Sequence, residues 1–209
     1  MSLTVTPATG MPLTLPVAGT NRPPLVIGLD VALSASGVAG AGWTDKVRCT
    51  SPSRHARLSY QLDGLAEFYR NADYVVVEGA AFSRGNTQGA DVLAAIRWMV
   101  RLDLWKRHIP YAVVTPTKRI TYATGSTVHK DENGIRLKGP ALKGLVRDAV
   151  AERYGIHTEG VCRYDEADAY VLLAMGLDHL GHRLADVPPS HARALTGCDW
   201  SGFDKAVAR

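Results

Sequence analysis

Leu25-Val26-Ile27-Gly28-Leu29-Asp30 is the stretch on which the fold turns. Its apolar run is too continuous for a surface strand, and it closes on a carboxylate that the interior of a sheet would not choose. Tyr74-Val75-Val76-Val77-Glu78 repeats the pattern. Each acid therefore reads as lying at the lip of a buried sheet. A third acidic element, the pair Asp165 and Asp168, opens the last strong helical pattern, and a spacing of three puts both on one face within one turn. If the two strands are parallel neighbours and that helix packs beside them, four negative charges converge on one patch. Such a cluster repels itself unless cations occupy it or some members take up protons. Hard divalent ions, which prefer oxygen ligands, are the expected occupants.

Working outward, residues 1–24 are rich in Thr, Pro and Gly without a period and read as a flexible arm closed by Pro23-Pro24. The domain is expected over 25–182. Strand one is followed by two more, about Ser36–Trp43 and Lys46–Thr50, joined by short turns as an antiparallel meander. Leu58, Leu62, Leu65 and Phe68 then mark an amphipathic helix. Tyr74–Glu78, reached through that helical crossover, is expected to run parallel to an earlier strand. A glycine-bearing loop, Gly79–Gly89, leads to a helix over Ala90–His108 with apolar residues on more than one face, which suits either a core helix or one that also forms a subunit interface. Tyr111–Thr115 reads as a fifth strand, with Thr115-Pro116 as the cap and first-turn proline of the next helix. Residues 125–139 read as an inserted loop or hairpin turning at Asn133-Gly134. Helices follow over Pro140–Tyr154 and Tyr164–Leu180. The tail, 183–209, has no evident period and is expected to be partly disordered.

Composition narrows the class. The chain has 209 residues, 46% hydrophobic and 21% charged, as expected of one soluble globular domain with tails. No apolar run approaches the length of a membrane span. The first two dozen residues lack a signal-peptide pattern, and Cys49, Cys162 and Cys198 are odd in number and in no zinc-type spacing, which fits a reducing, cytoplasmic setting. A net charge of +4 leans towards a polyanionic partner. Its distribution says more, because Lys118, Arg119, Lys130, Arg136, Lys138, Lys143 and Arg147 face only Asp131 and Glu132 between Thr115 and Arg147. Phosphates approaching a carboxylate cluster need such a basic surround.

Three antiparallel strands, helix, strand, helix, strand and further helices, with acids ending strands one and four and opening the final helix, is the layout of the ribonuclease-H-like fold, here a five-stranded mixed sheet flanked by helices. Within it, three segments resemble the RuvC family of Holliday-junction resolvases. Ile27-Gly28-Leu29-Asp30 with Ser36-Gly37 is similar to the first motif, Val75-Val76-Val77-Glu78 with Phe82 to the second, and Asp165-Glu166-Ala167-Asp168-Ala169 to the third. Lys118 and Lys143 fall roughly where that family keeps basic residues beside the scissile phosphate. Asp30-Val31-Ala32 replaces the family's usual Asp-Pro-Gly.

The resemblance implies a Mg²⁺-dependent endonuclease of branched DNA, four-way junctions above all, acting as a homodimer in recombination and repair. Asp30, Glu78, Asp165 and Asp168 are the expected ligands of two Mg²⁺ ions, with Mn²⁺ as substitute, and Lys143 the expected stabiliser of phosphorane charge. Phe82, Arg84, Lys118, Arg119 and Lys138 are the expected DNA-facing set; Phe82 would stack on an unpaired base, worth about 1–3 kcal/mol. The alternatives are a related nuclease acting on flaps, forks or RNA–DNA hybrids, an actin-like nucleotide-binding phosphotransferase, and a catalytically silent DNA-binding module. His179 and His182 read as surface histidines.

Overall fold

The computed structural model describes residues 22–80 and 89–207. Its five strands are β1 (Val26–Asp30), β2 (Ala35–Gly40), β3 (Trp43–Arg48), β4 (Tyr74–Glu78) and β5 (Tyr111–Val114). They form one sheet in the order β3-β2-β1-β4-β5, in which β2 lies antiparallel to β1 and β3, while β1, β4 and β5 run parallel. Helices α1 (Arg54–Tyr69) and α2 (Ala90–Lys106) carry the chain across one face. The other face holds α3 (Pro116–Thr124), α4 (Gly139–Tyr154) and α5 (Arg163–His179). This is the sheet and the parallel crossover read from the sequence.

The two-residue period of the strands assigns each side chain to a layer. Ile27, Leu29, Val75 and Val77 pack with Leu65, Ile96, Val100 and Leu104 of α1 and α2. Val26 and Val76 pack with α5 and its neighbours. Asp30 and Glu78 share the parity of Val26 and Val76, so the acids end their strands on the α5 side. Leu29 pairs with Val77 in the parallel register, which leaves Asp30 and Glu78 side by side one residue on.

Helix α5 is the centre of the domain rather than a surface helix. Every residue from Glu166 to Asp178 is buried, so its sequence lacks a polar face. It lies unusually close to the sheet because β1 and β2 offer no side chain there. A Cβ at Gly28 would run into the backbone of Ala169 and Leu173, and one at Gly37 into the backbone of Asp165. Thr115 caps α3 as its sequence predicts, its hydroxyl accepting from the Lys118 amide at 3.4 Å with Pro116 in the first turn.

Two segments add to the sequence reading. Lys130 and Arg136 form an antiparallel bridge around a turn at Gly134, so the insertion is a short hairpin. The C-terminal segment, expected to be partly disordered, is instead built into the domain. It forms α6 (Pro189–Ala192), a 3-10 turn and α7 (Ser201–Val207), and it buries Ala194, Trp200 and Phe203. His179 stacks on Trp200 with ring centres 4.4 Å apart and bonds Asp204 at 2.9 Å.

Candidate active site

Parallel strands bring ligand-binding residues to their carboxyl ends, and the acids lie there. Asp30 ends β1, Glu78 ends β4, and α5 supplies Asp168 from its first turns. All three are buried, Asp168 to 1% exposure. The glycines at 28 and 37 make this convergence possible, because any side chain there would lift α5 and its two aspartates away from β1. Asp165 lies at the rim, half-buried, with Lys143 Nζ of α4 donating to its Oδ1 at 3.3 Å.

Three cations neutralise the cluster. Arg119 of α3 is 6% exposed and lies between two of the acids, its Nε donating to Glu78 Oε1 at 2.8 Å and its Nη1 to Asp168 Oδ1. Arg97 of α2 reaches the other Glu78 oxygen, Oε2, at 3.5 Å. Lys143 completes the set at Asp165. Burial raises the Asp30 carboxyl well above the usual carboxylate range; repulsion from Glu78 and Asp168 adds to this and Arg119 opposes it. Asp168 is pushed up to about 7, chiefly by burial, with Arg119 pulling it down and Glu78 pushing it up. Burial disfavours the Arg119 charge, but Asp168, Glu78 and Asp30 outweigh that and hold the guanidinium protonated more firmly than usual.

The expected site residues thus fall into distinct places. Asp30, Glu78 and Asp168 come together, Asp165 and Lys143 flank them, and Lys138 is exposed at the start of α4. Arg119, expected on the DNA surface, is corrected to a buried partner of the acids. Arg119, Tyr122 and Ala123 share a helix face at i, i+3 and i+4, and the structure buries that face. Lys118 turns towards the C-terminal segment, its Nζ donating to the Thr196 carbonyl at 2.5 Å. Phe82 and Arg84 lie outside the described residues. Arg97 was missed; it borders the buried stripe of Ile96, Val100 and Leu104, where an arginine needs an acidic partner.

Carboxylate oxygens are the donors that hard divalent ions prefer, so these residues suit Mg²⁺ in kind. Among the described residues, no three His, Cys, Asp or Glu side chains are set to hold an ion together, and a guanidinium stands between Glu78 and Asp168. In chemical terms the site holds buried carboxylates of raised proton affinity against guanidinium groups and presents ammonium charge at its rim.

No family model and no curated protein matches the chain. Among solved structures it is similar to Thermus thermophilus RuvC, with a TM-score of 0.52 and 16% identity over 78% of this chain and 99% of that one. It is also similar to T. thermophilus RuvC in complex with Holliday junction substrate, at a TM-score of 0.52 and 16% identity over 79% and 99% of the two chains. The sheet order, the central helix laid against it and these likenesses together give the chain the ribonuclease-H-like fold.

Proposed function

We propose that this chain is a structure-specific DNA endonuclease that hydrolyses phosphodiester bonds in branched DNA, four-way junctions above all, in recombination and repair. The observation that carries the reading is the convergence of Asp30, Glu78 and Asp168 at the carboxyl ends of β1 and β4. It occurs on a fold similar to that of T. thermophilus RuvC, which is known in complex with Holliday junction substrate. Asp30, Glu78, Asp165 and Asp168 would hold Mg²⁺ or Mn²⁺, which would supply a water of lowered pKa and neutralise charge at the phosphate oxygens.

The remaining work falls to the chain's own side chains. Burial disfavours the Lys143 charge, yet Asp165, Asp168 and Asp30 outweigh it and raise its pKa, so it stays an ammonium. Poised at the rim, it stabilises charge that builds on the phosphoryl oxygens. Lys138, Phe82 and Arg84 are assigned to DNA contact, and Lys118 to a phosphate it reaches by leaving Thr196. Symmetric cutting of opposed strands calls for two sites related by a twofold axis. Trp98, Leu102 and Trp105 form an exposed stripe on α2, and such an apolar patch supports a homodimer through that helix.

The test is incubation of the purified protein with labelled four-way junction, flap, RNA–DNA hybrid and linear duplex, in Mg²⁺ and in chelator. Preferred, Mg²⁺-dependent nicking of the junction is expected. Absence of cleavage of every substrate in both Mg²⁺ and Mn²⁺ overturns the reading, and preference for flap or hybrid redirects it.

A further inference from the structure

We infer that Arg119 is a positioning residue that competes with the divalent cation for Glu78 and Asp168. It is the counter-ion that keeps the carboxylates together without metal, and it sets how tightly a cation is held. The inference rests on the nuclease reading above and concerns the same site.

Four observations converge on it. Arg119 is nearly inaccessible, and its guanidinium bonds Glu78 and Asp168 at once. Arg97 takes the remaining Glu78 oxygen, so both oxygens of that carboxylate already face a cation. Among the described residues, the Arg97 Nε is buried without a hydrogen-bond partner, an awkward group to keep inside unless its positive charge is wanted there. The acids are also not arranged to share an ion among themselves in this state. A guanidinium and a divalent cation compete for the same carboxylate oxygens, and like charges in a poorly solvated site repel strongly. A cation bound through Glu78 Oε1 or Asp168 Oδ1 therefore draws the Arg119 side chain off that acid. The freed fork is then available to an anion, and a phosphodiester is the anion whose shape it matches.

This differs from a lysine placed at the rim. Among the described residues, Lys143 bonds Asp165 and does not engage Asp30, Glu78 or Asp168. Arg119 lies within the ligand set.

Mn²⁺ binding to the whole protein, followed by calorimetry without DNA, together with thermal unfolding in chelator, tests the inference. Arg119→Gln should bind Mn²⁺ at least about tenfold more tightly than the wild type, because the competitor is gone. It should also unfold at a lower temperature in chelator and regain more on Mn²⁺ addition than the wild type does. Arg119→Lys keeps a charge but loses the fork, and is expected between the two; it serves as the deciding variant if Arg119→Gln does not fold. A folded variant that binds Mn²⁺ no more tightly than the wild type overturns the inference. If the wild type also cleaves junctions, the nuclease reading survives that result. If no protein, wild type or variant, binds Mn²⁺ or cleaves, both fall together.

Discussion

Asp30 is the residue on which both strand and site depend. It sits at the end of β1 beside Glu78 and within the field of Asp168, so replacing it by Asn removes a buried carboxylate at nearly constant volume. Asp30→Asn is expected to reduce junction cleavage by about 10²–10³-fold or more, with folding and junction binding retained; full activity in that protein would sink the site assignment. Burial also makes a prediction about pH. Asp168, pushed up to about 7, and Asp30, raised in the same direction, bind protons more tightly folded than unfolded. Their favourable contribution is complete below the unfolded carboxylate value, about 3.9, and is lost as pH rises through the folded value. The metal-free protein should therefore lose stability from this source between about pH 4 and 7. Asp168→Asn should flatten that slope in a series of melting curves, and an unchanged slope would count against the buried-acid account. The four acids were legible in the sequence because each breaks a rule of its element, a charge ending a hydrophobic strand or paired on a helix. Arg119 was not, since a basic residue in a basic run looks like surface until its helix face is known.

At the scale of elements, the close contact between α5 and the β1–β2 pair determines whether the acids meet. Gly37→Ala places a methyl group against the backbone of Asp165, where no side chain can yield. A loss of about 1–3 kcal/mol in urea unfolding is expected, together with a fall in cleavage larger than that of a surface Gly→Ala, such as Gly144→Ala, which meets open space. Equal effects of the two substitutions would show that helix placement is not what Gly37 protects. The strands and long helices were legible because their apolar periods are sustained over enough residues to register. α6 and α7 were not, being four and seven residues long. They are held by tertiary contacts, chiefly Trp200 and Phe203, whose pattern appears only when the partner surface is known.

For the whole molecule, the exposed apolar stripe on α2 is the feature that a lone domain would not favour. Trp98 is 64% and Trp105 69% exposed, on a helix whose opposite side is core. Trp98→Glu with Trp105→Glu is expected to convert a dimer to a monomer in size-exclusion chromatography with light scattering. Paired nicks in a junction should then be lost before single nicks. A wild-type protein that is monomeric at all concentrations would remove this part of the proposal. The sheet's two margins have a different fate. β3 carries Asp45, Lys46 and Arg48 exposed along its length, and β5 is bridged at Val113 by Asp199 of the C-terminal segment. A row of free amides is a template on which other chains can stack, and charge on one border with a covering segment on the other denies it. The segment after Arg183 covers the β5 border, and removing it is expected to yield a protein that clouds on warming well before its core has melted.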